Sequence, residues 1–145
     1  MNEDTFLREL PGILILSHGP MCESIIESAE LIVGEMDNII AIPLEAECDL
    51  AEYCEVVINT YNSLPSGSIV LFDLQNGTPF NQLVTYCAKQ GIVLDALCGV
   101  NLPILLEAWT LRGSVSGGEL IKALEQAGHS SLINVAEFMG NFINN

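Results

Sequence analysis

The sequence predicts an α/β fold, with a doubly wound, mainly parallel four-stranded sheet and helices on both faces. Two observations predict it. Short aliphatic runs alternate along the chain with longer amphipathic segments, an order typical of parallel strands joined by right-handed crossovers. The aliphatic runs are apolar at nearly every position, which is typical of strands buried on both faces. In such sheets ligands bind at the carboxyl ends of the strands, so those ends are where a site is expected.

The first four elements follow from changes in hydrophobic period. GILILS (12–17) is a continuous aliphatic run and predicts a strand. MCESIIESAELIVG (21–34) places its apolar residues on one helical face and ends on glycine, a common helix stop. NIIAIPL (38–44) predicts a second strand. LAEYCEVVINTYNSL (50–64) predicts a second helix, with Asp49 as its N-cap.

The next five elements follow by the same reasoning. SIVLFDL (68–74) predicts the third strand. TPFNQLVTYCAKQG (78–91) begins with a cap residue followed by proline and ends on glycine, which indicates a helix. IVLDALCG (92–99) predicts the fourth strand. PILLEAWTLRG (103–113) and GGELIKALEQAG (117–128) predict two further helices.

The C-terminal segment is ambiguous, since SLINV (131–135) is compatible with an additional strand and VAEFMGNFI (135–143) with a short helix. No linker, repeat or low-complexity segment interrupts the chain. The sequence therefore predicts a single domain over residues 12–145, preceded by an N-terminal extension of residues 1–11.

Composition narrows the class of protein. The chain has 145 residues, half of them hydrophobic, which predicts a globular domain with a full core. Its formal net charge is −15, from 19 acidic and 4 basic residues, and the acids are scattered. This argues against a nucleic-acid groove and favours encounters with a basic protein partner, although solubility alone also accounts for it. Short apolar runs and the acidic start MNEDTF predict a cytoplasmic chain.

The cysteine pattern predicts reduced thiols and no metal site. Five cysteines occur, with no C-x-x-C pair and no metal-finger spacing to either histidine. Cys22 is the one candidate for unusual reactivity, because the start of a helix favours the thiolate. The cysteines are Cys22, Cys48, Cys54, Cys87 and Cys98.

Chemistry-bearing residues meet at the predicted carboxyl edge of the sheet. His18 ends the first strand, Asp73 ends the third, and Cys98 ends the fourth. An aspartate that accepts a hydrogen bond from one imidazole nitrogen leaves the other nitrogen free to act as a nucleophile. The segment Asn76–Gly77–Thr78 directly precedes a helix, and its amides and hydroxyl suit a phosphoryl group. The helix that follows His18 offers a second set of amides.

Each of these residues also has a structural explanation. A histidine at a strand end often acts as a cap, and an aspartate there often forms a turn. His129 follows a helical segment and is expected on the surface. A Ser-His-Asp hydrolase is disfavoured, because Ser17 and His18 point to opposite sides of an extended strand and no G-x-S-x-G motif occurs.

Three segments carry a family resemblance. GILILSHGPMCESIIESAELIVGE, VLFDLQNGTPFNQ and GVNLPILLEA together resemble the mannose-type enzyme IIA domains of the bacterial phosphoenolpyruvate:sugar phosphotransferase system. The resemblance covers roughly residues 11–135. It implies that His18 accepts a phosphoryl group from phospho-HPr and passes it to a histidine of the IIB subunit. Asp73 matches the aspartate that hydrogen-bonds the histidine ring, and Thr78 matches a serine that binds the phosphoryl group. No metal or organic cofactor is implied.

The resemblance also suggests supporting roles. Backbone amides near the histidine bind the phosphoryl group in this family, which points to Gly19 and Gly77. Asn101 and Pro103 lie in the matching VNLP loop, a possible part of the site. The family forms homodimers in which a C-terminal strand adds antiparallel to the partner's sheet, and residues 131–135 are the candidate. The membrane subunits IIC and IID, which select the sugar, are linked to such a domain only indirectly.

This sequence departs from the family pattern at two places. Asn76 replaces a common glycine, and Leu74–Gln75 replaces a frequent threonine–tryptophan pair. Asparagine tolerates the left-handed backbone region better than most residues, so the first change is compatible with the same loop. Two alternative functions stay open, namely the phosphotransferase subunit of a dihydroxyacetone kinase and a regulatory module without transfer activity. Neither the transported sugar nor the organism is encoded in these motifs.

Overall fold

The structure is a computed structural model that describes residues 10–143. In that range four strands alternate with helices, and two further helices follow at the C-terminus. The elements are β1 (Ile13–His18), α1 (Met21–Val33), β2 (Ile39–Leu44), α2 (Leu50–Ser63), β3 (Ile69–Phe72), α3 (Thr78–Lys89), β4 (Ala96–Cys98), α4 (Leu102–Leu111), α5 (Gly117–Ser130) and α6 (Val135–Ile143).

The four strands form one parallel sheet in the order β2-β1-β3-β4. The predicted fold class is therefore confirmed. The chain leaves β1 for β2 on one side and returns to β3 on the other. Such a reversal opens a crevice at the carboxyl ends of the two strands that flank it. His18 is the last residue of β1, and Asp73 directly follows β3, so both lie at this crevice.

Alternating strand residues face two separate cores. Ile13 and Ile15 of β1 pack with α1, α4 and α5, whereas Leu14 and Leu16 pack with α2 and α3. All four are fully buried, as expected for a sheet covered on both faces. The same alternation directs Ser17 towards α1 and His18 towards α3.

Local capping explains where several helices begin and end. Asp49 caps α2 as predicted, since its carboxylate accepts hydrogen bonds from the amides of Ala51 (2.9 Å) and Glu52 (3.2 Å). Gly34 ends α1 with φ +85°, a conformation that favours glycine. In residues 10–143 no helix combines the length and the apolar character needed to cross a bilayer.

Two predicted strands were too long. The third was expected over 68–74 but spans Ile69–Phe72, and the fourth was expected over 92–99 but spans Ala96–Cys98. The amide of Ile92 still donates to Cys87 at the end of α3 (2.8 Å). The aliphatic residues at 92–94 therefore belong to the connection that returns the chain to the sheet.

The strand expected at residues 131–135 is not formed in the described chain. Residues 132–134 are irregular, and α6 begins at Val135. Asn134 caps this helix, since its side chain accepts from Glu137 N and its carbonyl accepts from Phe138 N. A strand at this position needs an unpaired edge of a sheet as its partner. The exchange of residues 131–135 between two subunits therefore stays a prediction. Residues 1–9 of the predicted N-terminal extension lie outside the described residues.

Candidate functional site

His18 and Asp73 form a hydrogen-bonded pair at the carboxyl edge of the sheet. Asp73 Oδ2 accepts from the His18 amide (2.9 Å) and lies 2.8 Å from the ring nitrogen Nδ1. Asp73 Oδ1 accepts from the Leu74 amide (2.8 Å). Because an ionised carboxylate can only accept, Nδ1 carries a proton, and in the neutral ring the lone pair is on Nε2.

Burial distinguishes the two side chains. The Asp73 side chain is 11% exposed and the His18 side chain is 46% exposed. Burial raises the pKa of Asp73, but the hydrogen bonds from the His18 amide, the His18 ring and the Leu74 amide outweigh it and lower the pKa below its usual value. The aspartate is therefore ionised at neutral pH, while the imidazole is accessible to a partner.

Gly77 brings the start of α3 against the imidazole. A Cβ atom added to Gly77 would overlap His18 Cε1 and would lie 3.0 Å from His18 Nε2 and 3.1 Å from Leu74 Cδ1. The first of these contacts is shorter than real Cβ atoms show and the other two are tight, so a side chain at this position would force the imidazole to move. The ring edge that bears the free lone pair thus lies beside the N-terminus of α3.

The start of α3 differs from the predicted capping. Thr78 was expected as the cap, but Gly77 is the N-cap and Thr78 is the first helical residue. Over residues 10–143, no hydrogen bond occupies the Thr78 hydroxyl or the amides of Gly77, Thr78 and Phe80. Asn76 has φ +65°, the left-handed conformation that asparagine tolerates. These free donors lie at the end of α3 that approaches His18 Nε2.

Most amides at the start of α1 already have hydrogen-bond partners, and in residues 19–24 the Met21 amide alone has none. The Gly19 amide donates to Leu44 O (2.8 Å), and the Cys22 amide donates to Ser17 Oγ (2.9 Å). The amides of Glu23 and Ser24 both donate to Pro20 O (3.0 Å each). The expected second set of amides is therefore largely occupied, and the Gly19 amide, which was expected to bind a phosphoryl group, already donates to Leu44 O.

Asn101 and Pro103 occupy the start of α4. Asn101 Oδ1 accepts from the Ile104 amide (2.9 Å), and its Nδ2 donates to Ser131 Oγ (3.2 Å). Pro103 stands in the first helical turn. The structure thus gives the Asn101 side chain a capping role, and Asn101 lines a separate cavity of about 200 Å³ with His129. His129 is exposed at the end of α5, as expected.

A groove beside His18 was not predicted from the sequence. Its volume is about 470 Å³, and it is formed mainly by the end of β2 and the loop to α2. Acidic residues follow β2 directly, but nothing in their order distinguishes a groove wall from an ordinary solvated loop. The groove is lined by His18, Gly19, Leu44, Glu45, Ala46, Cys48 and Leu50.

Cys22 does not form a second reactive centre. Cys22 is fully buried, and burial raises the pKa of its thiol although it lies in the first turn of α1. The flagged reactivity of Cys22 is therefore contradicted, because desolvation outweighs the helix start. No group of three or more His, Cys, Asp or Glu side chains in residues 10–143 is placed to hold a metal ion.

The site therefore combines an oriented imidazole, an accessible Nε2 and free amide donors. An oriented histidine of this kind can attack an electrophile and become transiently cationic, and Asp73 stabilises that cation. The donors of α3 suit an anionic group bound to Nε2.

Sequence comparisons with a protein family and with individual proteins identify the same family. The family described as "PTS system fructose IIA component" matches residues 12–125. The chain is 31% identical over 122 residues to the PTS system fructose-specific EIIA component of Bacillus subtilis (strain 168), covering 83% of each protein. It is 30% identical over 112 residues to the mannose-specific EIIAB component of Escherichia coli (strain K12), covering 70% of this chain and 32% of that protein.

Solved structures agree with these matches. The mannose/sorbose-specific IIA subunit from Enterococcus faecalis superposes with a TM-score of 0.73 at 28% identity, covering 86% of this chain and 94% of that one. The component EIIA from Streptococcus agalactiae shares the fold, with a TM-score of 0.76 at 24% identity and coverage of 88% and 99%. With the family match over most of the chain, these findings show that this protein belongs to the mannose-type family of IIA components of the sugar phosphotransferase system.

Proposed function

We propose that this chain is a phosphoryl carrier in phosphoenolpyruvate-dependent sugar uptake. His18 Nε2 accepts a phosphoryl group from phospho-HPr and passes it to a histidine of the IIB subunit. The observation that carries the proposal is the 2.8 Å contact between Asp73 Oδ2 and His18 Nδ1, which leaves Nε2 unprotonated beside the free amides of α3.

The transfer balances without a cofactor. A bond forms between His18 Nε2 and phosphorus, and the bond between phosphorus and the donor's histidine nitrogen breaks. The leaving nitrogen keeps the electron pair of the broken bond. The proton on His18 Nδ1 stays there, in its hydrogen bond to Asp73. Since both nitrogens belong to imidazoles, the step is nearly balanced, and the protein's task is to position the groups and stabilise charge.

The phosphoryl oxygens are bound by the start of α3 in this proposal. The amides of Gly77 and Thr78 and the Thr78 hydroxyl are free donors beside Nε2. Phe80 lies in the first turn of α3. Its ring packs edge-on against that of Phe72, with a distance of 5.3 Å between the ring centres. That packing anchors the helix start, so the donors are positioned before the phosphoryl group arrives.

Charge and shape around His18 support docking of basic proteins. Glu45, Glu47 and Asp49 are exposed in the loop beside the groove. Leu50 at the start of α2 and Leu74 in the loop after β3 are 48% and 49% exposed. An apolar surface with an acidic margin fits HPr and IIB surfaces that present basic residues around an apolar contact.

The distribution of cations strengthens this argument. Among the described residues, Lys122 lies in α5, while Lys89 lies in the last turn of α3 and Arg112 follows the end of α4. Helices α3 and α4 begin at the histidine edge of the sheet, so Lys89 and Arg112 lie towards the opposite edge. Arg112 is buried, with its guanidinium 4.2 Å from the centre of the Trp109 ring, and it contributes little to surface potential. A basic partner at the site is therefore not repelled by the cations that end α3 and α4.

The proposed function predicts one phosphoryl group on this protein. After incubation with phosphoenolpyruvate, enzyme I and HPr, intact-mass measurement is expected to show a single acid-labile adduct, and peptide mapping is expected to place it on His18. Omission of HPr is the control and should remove the adduct. An adduct on His129, an acid-stable adduct, or none at all would overturn the carrier assignment.

A homodimer is the proposed assembly. Helix α6 buries none of its residues, and Phe142 and Ile143 are 68% and 72% exposed. Leu132 in the preceding segment is 90% exposed, while β4 is a three-residue edge strand. A second copy that pairs with this edge covers both features.

The dimer predicts twice the mass of one chain in light scattering. Phe142→Ser is expected to shift the mass towards that of a monomer, because it removes an apolar anchor from the interface. Val56→Ser on α2 is the control, since Val56 is 51% exposed and lies on a different helix. A monomeric wild-type protein at all concentrations would contradict the assembly.

A further inference from the structure

We propose that Ser17 is a positioning residue for phosphoryl transfer, since its hydroxyl holds the β1–α1 turn that orients His18. The inference rests on the proposed role of His18. The side chain of Ser17 does not reach the reacting atoms, because strand alternation directs it to the face of the sheet opposite His18.

The burial of Ser17 is unusual for a polar side chain. It is 0% exposed, and Arg112 is the other polar or charged residue buried in the described range. A buried hydroxyl is unfavourable unless its donor and its acceptor positions are satisfied. Its neighbours along β1, Ile15 and Leu16, are fully buried aliphatic residues, so the strand pattern alone would favour an apolar side chain here.

The Ser17 hydroxyl makes two hydrogen bonds across the turn. It donates to Gly19 O (2.9 Å) and accepts from the Cys22 amide (2.9 Å). One oxygen atom thus joins the strand end, the turn and the first turn of α1. The N-cap residue, Pro20, makes no side-chain capping bond, so Ser17 satisfies this helix amide from outside the helix.

The turn needs this constraint because its backbone is unusual. Gly19 has φ +64°, and a Cβ there would meet nothing within 4 Å, so the glycine is favoured by conformation and not by crowding. Glycine is also the residue with the greatest freedom to leave that conformation. The bonds from Ser17 Oγ to Gly19 O and from the Gly19 amide to Leu44 O hold it in place.

The orientation of His18 depends on that turn. His18 lies between Ser17 and Gly19, and its amide and Nδ1 both bond to Asp73 Oδ2. Asp73 restrains one side of the ring, while the backbone on the other side sets where Nε2 points relative to α3. Without the hydroxyl, Gly19 O and the Cys22 amide lose their partner. A shift of about 1 Å in a reacting group costs up to about 100-fold in rate.

The test is a comparison of Ser17→Ala with Ser17→Thr, which keeps a hydroxyl. Rapid-quench transfer from phospho-HPr is expected to show kcat lowered about tenfold in Ser17→Ala, with KM within about twofold of the wild-type value. Ser17→Thr is expected to recover most of the rate. Ser114→Ala is the matched control, because it removes an exposed hydroxyl bond to Leu111 O (3.2 Å) at the end of another helix.

A spectroscopic measurement separates positioning from general loss of structure. In Ser17→Ala, the ¹⁵N signals of the His18 ring are expected to shift or broaden, while those of His129 stay unchanged. If Ser17→Ala does not fold, Ser17→Cys takes its place, since sulfur has similar size and is a weak hydrogen-bond partner.

Several outcomes would overturn the role of Ser17. These are wild-type kcat in a folded Ser17→Ala or Ser17→Cys variant, a Ser17→Thr variant no faster than Ser17→Ala, or unchanged ring signals. Failure of the proposed function is distinguishable, because the wild-type protein would then carry no phosphoryl group at His18. A phosphorylated wild type with an equally fast Ser17→Ala variant removes the present inference alone.

Discussion

Replacing His18 by glutamine is expected to abolish phosphoryl acceptance. Glutamine retains an amide N–H that can donate to Asp73, but its nitrogen lone pair is delocalised and does not act as a nucleophile. The rate of transfer from phospho-HPr is expected to fall by about 10⁴-fold or more, to the level without the protein. Because the His18 side chain is 46% exposed, the fold is expected to persist, which circular dichroism measures.

No neighbouring side chain is expected to take over from His18. Cys48 lines the same groove, but its thiol does not pair with Asp73. The Thr78 hydroxyl has no base beside it once the imidazole is gone. His129→Gln is the control, since it removes an imidazole from the end of α5 and should leave acceptance unchanged. A phosphoryl adduct on the His18→Gln variant would show that another residue is the acceptor.

The second large effect is expected for Asp73→Asn. The carboxylate oxygen Oδ2 accepts from both the His18 amide and Nδ1, and Oδ1 accepts from the Leu74 amide. An asparagine accepts through one oxygen only, so either the ring or a backbone amide loses its acceptor. The preferred ring tautomer and the stabilisation of the cationic ring are both weakened. Transfer is expected to slow by about 100-fold or more.

The matched control for Asp73→Asn is Asp37→Asn. Asp37 precedes β2 at the opposite edge of the sheet and is exposed, so the change removes the same charge without touching the site. Rapid-quench measurements on both variants, with thermal unfolding to confirm the fold, separate the effects. Equal rates for Asp73→Asn and the wild type would refute the orienting role of Asp73.

The Asp73 pair also predicts a direction of pH dependence. The pKa of Asp73 is lowered in the folded protein, so the unfolded chain binds this proton more readily. The pair therefore stabilises the fold above the usual carboxyl pKa of about 4, and this contribution is lost as pH falls through the lower, folded-state value. Asp73→Asn removes that contribution. The unfolding temperature of this variant is therefore expected to fall less steeply than that of the wild type as the pH is lowered through the acid range.

Much of the site was predictable because parallel strands place their carboxyl ends together. The segment 12–17 predicts β1, and the segment 68–74 predicts β3. Once both are parallel in one sheet, the residues that follow them, His18 and Asp73, meet at one edge. The alternation of residues also separates Ser17 from His18, which correctly disfavours a Ser-His-Asp triad.

Other features were not predictable from local patterns. The residues at 92–94 are as aliphatic as a strand, yet the Ile92 amide bonds to α3. The segment 131–135 has a strand-like composition, but it finds no edge in the single chain, and Asn134 starts a helix instead. In both places the hydrogen-bond partner lies outside the segment itself. Ile92 bonds to Cys87, and Asn134 bonds to Glu137 and Phe138.

The sequence by itself determined the order of strands and helices along the chain and the parallel sheet. It also determined the edge at which His18 and Asp73 meet. It could do so because hydrophobic period and chain direction are local properties. The tertiary structure alone decided how the polar groups at that edge are paired. It pairs the Gly19 amide with Leu44 and most amides in the first turn of α1 with Ser17 and Pro20, and it leaves those at the start of α3 free. The reason is that each hydrogen bond depends on distances between separate elements, as between His18 and Asp73, which are 55 residues apart.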